Sequence, residues 1–383
     1  MQYQRLILLD QTASSVLLFG PRMTGKTSLL KTLKADLFIN LLDRKLELSY
    51  RNSPELFWQQ VSSLEPSRLI IVDGIQKIPE LLDYVQMAID TYGHRFLLSG
   101  SSARKLKRSG ANLLGGRAIE THLYPLSYLE IGNQFSLDQA LRFGTLPKIS
   151  VLMRENAVEE VKDILESYCS LYIKDEIQAE ALTRNISSFS RFLQIAGQSH
   201  GHTIEYANIS DASKVPATTV KEYFSILEDT LIGSFLWPWD RSERKKARPK
   251  FYFFDPGVVR GLQNQLNDPP TGQEIGLLFE GWFVYEVKKI NSYFRKRLTI
   301  ELWRLNDFEI DLLVRNGRGE GLAIEIKSGV VSPLSETMIK KFNTDFPKIE
   351  ILIASRTDTL ARKLGSGIRV LPWREVLDMV KNL

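Results

Sequence analysis

The feature that most constrains this chain is the stretch Gly20-Pro21-Arg22-Met23-Thr24-Gly25-Lys26-Thr27-Ser28. An apolar run, Ser15 to Phe19, precedes it and reads as a short buried strand; a helix is expected from about Lys26. The spacing Gly20-x4-Gly25-Lys26-Thr27 is that of a P-loop. Its glycines let the backbone turn tightly and set N–H groups against phosphate oxygens. The helix N-terminus adds partial positive charge. Lys26 is expected to reach the β- and γ-phosphates of ATP, and the Thr27 hydroxyl to ligate Mg²⁺.

A chain of 383 residues has room for two or three domains around such a core. A net charge of +5 permits a nucleic-acid partner without requiring one. The single cysteine, Cys169, excludes an intramolecular disulfide and cysteine-cluster zinc sites, and fits a reducing cytoplasm. Residues Met1 to Asp10 do not have the pattern of a signal peptide. No apolar run approaches the roughly 20 residues a membrane helix needs.

In chain order, Tyr3 to Gln11 reads as a short amphipathic helix, Leu37 to Leu41 as a strand, and Pro54 to Ser63 as a helix with Leu56, Phe57 and Val61 on one face. Arg68-Leu69-Ile70-Ile71-Val72-Asp73, four apolar residues ending in an acid, then reads as a Walker B strand, whose Asp73 would hold Mg²⁺ directly or through water. Many ATPases place a glutamate next, to orient the attacking water; here the position is Gly74. Asp43 and Glu47 are substitutes for that role or plain surface acids. Arg95 to Ser102 reads as another buried strand. Ser101 at its end would touch the γ-phosphate or cap a helix from Ala103. Arg117 is either an arginine finger or a surface arginine.

Gly20-Pro21-Arg22 with Gly25-Lys26-Thr27, Asp73-x-Ile75-Gln76-Lys77-x-Pro79, Ser99-Gly100-Ser101-Ser102, and Gly116-Arg117 leading to Leu123-x-Pro125-Leu126-Ser127 together resemble one family. It is a group of bacterial and archaeal AAA-type ATPases carrying a C-terminal domain of unknown function. The resemblance covers nearly the whole chain. It implies an α/β multidomain protein: a P-loop AAA-type three-layer core, a helical and winged-helix middle, and a restriction-endonuclease-like α/β C-terminal domain. Members usually carry Glu at the position of Gly74, so the departure bears on hydrolysis rather than on nucleotide binding.

The middle reads as helical from about Gln134 to Glu180, with Tyr168, Tyr172 and Ile173 on one stripe, and again over Ser187 to Gln198. Tyr206 to Phe224 takes a short helix, a turn and a longer helix, with Val220, Phe224 and Leu227 as the buried face; this reads as a helix-turn-helix. Between the apolar runs Phe235–Trp239 and Phe251–Phe254 lie Arg241, Arg244, Lys245, Lys246, Arg248 and Lys250. These are either the wing of a hairpin contacting DNA phosphates or a solvated charged loop.

Further on, Gly276 to Val287 reads as an amphipathic helix, and Ile300–Trp303, Phe308–Val314 and Gly321–Lys327 as strands. Glu325 and Lys327 lie two apart and share a face, and a hairpin would set Asp311 beside them. An Asp followed on the next strand by Glu-x-Lys is the metal constellation of restriction-endonuclease-like folds. Asp311 and Glu325 would bind Mg²⁺, Lys327 would position or activate water, and Glu280 would be the fourth group, with Glu286 as its rival. The other reading is a cross-strand ion pair at a sheet edge. Trp373 and the tail helix are expected to finish that core.

The expected organisation is an ATPase core over 1–133, a helical and winged-helix region over 134–260, and a nuclease-like domain over 261–383. The expected function is nucleotide-dependent action on DNA with slow hydrolysis; the rival is a nucleotide-switched interaction module without nuclease activity. A homo-oligomer is left open.

Overall fold

The computed structural model describes residues 3–9, 12–101, 106, 114–172, 186–239, 248–306, 308–365 and 367–383. Five strands build the first sheet: β1 (Ser15–Phe19), β2 (Leu37–Asn40), β3 (Leu69–Asp73), β4 (Arg95–Gly100) and β5 (Ala118–His122), all parallel in the order β2-β3-β4-β1-β5. Successive side chains point to opposite faces. Leu17 and Phe19 therefore join one buried cluster, with Phe57, Leu82 and Val85; Val16 and Leu18 join the other, with Ile7, Leu9 and Leu30. Both faces are thus covered, as a parallel sheet requires.

The helices of this part are α1 (Lys26–Leu30), α2 (Arg44–Asn52), α3 (Glu55–Ser62) and α4 (Leu81–Tyr92). In α3, Phe57 and Val61 are buried as expected, but Leu56 is 44% exposed, on the opposite side. Residues 3–9 are not the expected helix. Ile7 and Leu9 are buried while Leu8 is 46% exposed, the alternation of an extended segment. Tertiary partners hold it open: the Leu6 N–H donates to Glu130 Oε1 at 2.8 Å, and Arg5 Nε to the same oxygen at 2.9 Å.

A run of helices follows: α5 (Tyr128–Ile131), α6 (Leu137–Phe143), α7 (Pro147–Arg154), α8 (Val158–Ser167), α9 (Ile186–Gln198), α10 (Tyr206–Ser213) and α11 (Ala217–Asp229). The side chains of Tyr172 and Ile173, and a helix from Ala103, lie outside the described residues. Helices α10 and α11 fall where the helix-turn-helix pattern predicts, and Val220, Phe224 and Leu227 are buried. Strands β6 (Gly233–Leu236) and β7 (Lys250–Phe253) pair antiparallel. Arg241, Arg244, Lys245 and Lys246 lie outside the described residues.

After α12 (Pro256–Leu262) comes α13 (Gly272–Tyr293), which spans roughly 33 Å at 1.5 Å per residue. A capping box between Thr271 and Glu274 starts it. It is not amphipathic: Gly281 to Val287 are buried without interruption, because the helix is wedged between the middle helices and the second sheet. That mixed sheet contains β8 (Thr299–Leu305), β9 (Phe308–Arg315), β10 (Gly321–Lys327), β11 (Glu350–Ser355), β12 (Arg362–Lys363) and β13 (Arg369–Pro372), ordered β12-β13-β11-β10-β9-β8. Helices α14 (Glu336–Asp345) and α15 (Trp373–Asn382) pack against it. One buried cluster runs from Tyr128 to Val380, so hydrophobic packing is continuous across residue 260.

Candidate functional site

Strand β1 delivers the chain to Gly20, where a Cβ would stand 2.4 Å from the Leu123 carbonyl oxygen; glycine is required by that approach. Gly25 has φ +92° and turns the loop into α1. The Thr24 hydroxyl donates to the Pro21 carbonyl at 2.9 Å. Lys26 Nζ donates to the carbonyls of Gly20 and Pro21 at 2.6 and 2.8 Å, so its ammonium lies across the loop. Beside it, Thr27 Oγ1 donates to Asp73 Oδ2 at 2.6 Å. The other Asp73 oxygen accepts from the Ser99 hydroxyl. Parallel pairing of β3 and β4 puts Asp73 opposite Ser99, which brings these groups together.

They open on a cavity of about 590 Å³ at the carboxyl ends of the strands, lined by Arg22, Met23, Gly25 to Ser28, Asp73, Gly74, Gln76, Lys77, Ser99 to Ser101, and Pro147 and Lys148 from α7. Ligands of open α/β sheets lie at that edge. A second cavity of about 590 Å³ adjoins it, sharing Gly25, Ser28, Pro147 and Lys148, with Ile7, Leu29, Leu33, Leu126 and Val151 among its walls. Thr27 and Asp73 together are a hydroxyl–carboxylate pair suited to a hard divalent cation.

The groups considered as substitutes at position 74 are engaged elsewhere. Asp43 caps α2, accepting from the Lys45 N–H at 2.8 Å. Glu47 is ion-paired with Arg51, Lys77 and Arg44 at 2.8, 3.0 and 3.3 Å, and the Arg51 hydrogen bond above all pulls its pKa down to about 2. Neither lines the cavity. Arg117 pairs with Asp90 at 2.7 Å and is also absent from the lining, whereas Ser101 belongs to it. Gly74 has φ +88°, and a Cβ there would meet Leu42 at 3.1 Å. Gln76, which the sequence offers only as part of a motif and without a role of its own, also lines the cavity. Its Oε1 is buried without a hydrogen-bond partner and would lie 3.1 Å from a Cβ on Gly100. The signal was a side-chain amide two residues beyond Gly74.

A second constellation lies in the other sheet. Asp311 and Glu325 sit on the paired strands β9 and β10, and Asp311 Oδ2 accepts the Ile326 N–H at 2.9 Å. Lys327 Nζ reaches Glu325 Oε1 at 2.6 Å, while Glu325 Oε2 is buried without a partner. Burial first, then Asp311, pushes the Glu325 carboxyl up to about 8; the same causes, opposed by Lys250, push Glu280 to about 7. Lys250 is not at a surface wing. It is 7% exposed, with Nζ 2.6 Å from Glu280 Oε1, 2.7 Å from Glu309 Oε1 and 3.2 Å from Asp311 Oδ1, so it cannot meet DNA phosphates in this arrangement. Arg248 is exposed and paired with Glu205. Glu286 is separated from the cluster: six residues on from Glu280 along α13, it accepts from Ser127 Oγ at 2.7 Å and pairs with Lys289 at 2.8 Å. Among the described residues, no three His, Cys, Asp or Glu side chains are arranged to hold a metal ion. No helix of the described residues is long and apolar enough to cross a membrane.

Comparison with known proteins places the first part of the chain in a family. Residues 12–132 match the AAA domain model, and residues 134–268 match a domain of unknown function (DUF8612). An uncharacterized protein of Haemophilus influenzae is 22% identical, with 82% of each chain covered. One of Methanocaldococcus jannaschii is 22% identical over 62% of this chain and 60% of its own length. Among solved structures, the Aeropyrum pernix ORC1 protein in complex with DNA has a TM-score of 0.32 at 14% identity, covering 67% of this chain and 87% of that one. The replication initiator DnaA bound to AMPPCP and single-stranded DNA has 0.29 at 15%, covering 57% and 83%. Scores of that size carry no argument about ligands or partners. The P-loop geometry, the five-stranded parallel sheet and the matching family model make the N-terminal third of this chain a P-loop domain of the AAA type.

Proposed function

We propose that this chain is an ATP-binding AAA-type protein that acts on DNA, through a nucleotide-dependent core (1–133), a winged-helix middle (134–260) and a restriction-endonuclease-like C-terminal domain (261–383). The observation that carries the first part is the meeting of Lys26, Thr27, Asp73 and Ser99 at the mouth of one cavity. The phosphates of ATP fit the cavity holding Lys26, and the adjoining, more apolar cavity suits the base. Thr27 and Asp73 would hold a magnesium ion, and the chemistry such an ion supplies is neutralisation of charge on the β- and γ-phosphates. Gln76 takes the place of the missing acid at position 74. Turned from its buried position into the cavity, its carbonyl oxygen would accept a hydrogen bond from the attacking water, while the water's proton passes to the phosphate, since an amide is no base.

The DNA reading rests on the net charge of +5, the helix pair α10–α11 and the basic tract from Arg241 to Arg248. The acid cluster supports the nuclease-like reading: Asp311 and Glu325 would hold a divalent ion and Lys327 would position water. A specific observation favours the second reading, an interaction module without cleavage, because Lys250 already neutralises much of that cluster.

The test is binding of a fluorescent ATP analogue, with and without duplex DNA. Lys26→Ala is expected to abolish analogue binding while leaving the circular dichroism spectrum unchanged. Undiminished binding by that variant would overturn the nucleotide assignment. DNA affinity that does not fall steeply with salt would overturn the phosphate-contacting role of the basic tract.

A further inference from the structure

Strand β7 brings two polar side chains from the middle of the chain into the acid cluster of the second sheet. Lys250 Nζ makes three charge-assisted contacts there, with Glu280, Glu309 and Asp311. Two residues on, and so on the same face, the Tyr252 hydroxyl donates to Glu280 Oε1 at 2.5 Å. The acids come from α13 and β9, so one lysine of the hairpin ties two elements of the C-terminal part together. The hairpin is gripped from outside as well. Arg304 of β8 donates to the Arg248 carbonyl and the Thr203 hydroxyl, each at 2.9 Å, and the Trp239 N–H donates to the Leu302 carbonyl at 2.7 Å.

We propose that β7 is a built-in stopper for the acid cluster: the Lys250 ammonium stands where a divalent cation would bind, and a cation enters only when Lys250 withdraws. The proposal rests on reading Asp311 and Glu325 as cation ligands. With Lys250 in place no three acid side chains among the described residues are arranged to hold an ion, but three carboxylate oxygens converge on Lys250 Nζ within 3.2 Å, which is the donor chemistry a hard cation selects. The two lysines satisfy the carboxylates in part only: Lys327 holds Glu325 Oε1 at 2.6 Å, and Glu325 Oε2 remains buried and unpartnered. Removing Lys250 without replacement leaves buried acids uncompensated, which is strongly unfavourable. A divalent ion restores the charge and adds ligands that the ammonium cannot reach. Lysine and cation therefore exclude one another, and the docking of β7 against β8 and α13 sets which one is present. The cluster is then a sensor of how the middle of the chain sits on the second sheet.

Mn²⁺ binding tests this by electron paramagnetic resonance and calorimetry, on the full chain without nucleotide. An Asp73→Asn background keeps the P-loop site from contributing. Lys250→Met is expected to bind Mn²⁺ at least about tenfold more tightly than the parent, and adding Asp311→Asn is expected to abolish that gain. Should Lys250→Met fail to fold, Lys250→Gln, which keeps a polar side chain among the acids but removes the charge, is expected to tighten binding in the same direction. If the parent already binds as tightly as the folded Lys250 variant, the stopper is wrong while the cation reading stands. If no folded variant binds Mn²⁺, the cation reading fails and the stopper with it.

Discussion

At the residue scale, Gly74 and Gln76 decide how ATP chemistry would run. A glutamate at position 74 is not a simple repair. The backbone there is left-handed, which costs a non-glycine residue roughly 1–2 kcal/mol, and Leu42 crowds the Cβ direction. Gln76 is the better candidate because it lines the cavity and its carbonyl oxygen, buried without a partner, needs only a side-chain rotation to reach a water there. Gln76→Ala is expected to lower kcat for phosphate release about 10²-fold, the low end for a group that positions a proton-transferring water. KM and the affinity for a non-hydrolysable analogue should change little, since the proposed partner of the amide is the water and not the nucleotide. An unchanged kcat in steady-state phosphate release would remove Gln76 from the mechanism.

At the element scale, helix α13 holds the second site in register, and two of its glycines differ in what they tolerate. A Cβ on Gly281 would lie 2.3 Å from His200 Nε2, on a ring held in place by the Phe253 N–H. A Cβ on Gly276 would meet only Ser328 Oγ, at an ordinary 3.5 Å. Alanine gains up to about 1 kcal/mol over glycine inside a helix, whereas overpacking a buried contact typically costs about 1–3 kcal/mol. Gly276→Ala is therefore expected to raise the denaturation midpoint, and Gly281→Ala to lower it. Equal shifts in urea denaturation would show that α13 is not clamped against His200. The sequence marked α13 as amphipathic because its polar residues recur; the packing makes it buried through Gly281 to Val287, with the polar residues Glu286 and Lys289 satisfying each other.

At the scale of the whole molecule, α13 also reaches the P-loop. Its last residue, Tyr293, accepts from Arg5 at 3.2 Å and from the Tyr124 N–H at 3.0 Å. Arg5 in turn donates to the Thr24 carbonyl of the P-loop at 2.8 Å and to the Tyr124 carbonyl at 2.7 Å. The helix carrying Glu280 is thus tied to the loop carrying Lys26 through one guanidinium. Arg5→Lys keeps the charge but not the fork that serves several acceptors at once. It is expected to weaken ATP-analogue binding about tenfold. Tyr293→Phe, which leaves the half-buried Tyr124 N–H without its acceptor, is expected to cost about 1 kcal/mol of stability. Unchanged analogue affinity in Arg5→Lys, measured by fluorescence titration, would mean that the contact only supports the fold.

The sequence by itself determined the P-loop, the strand ending at Asp73, the helix pair at Tyr206 to Phe224 and the Asp311…Glu325-x-Lys327 strands, because each is written in local spacing and strand alternation. Only the tertiary structure decided what surrounds them. Residues 3–9 became extended because Glu130, more than a hundred positions away, holds Arg5 and Leu6. Glu286 left the acid cluster because of where one more turn and a half of helix carried it. Lys250, which belongs to a basic tract in the chain, became the buried partner of three acids because β7 pairs into a hairpin docked on the second sheet. Charge in sequence carries no address: whether a lysine faces solvent or a carboxylate is settled by which strand it stands on and what that strand packs against.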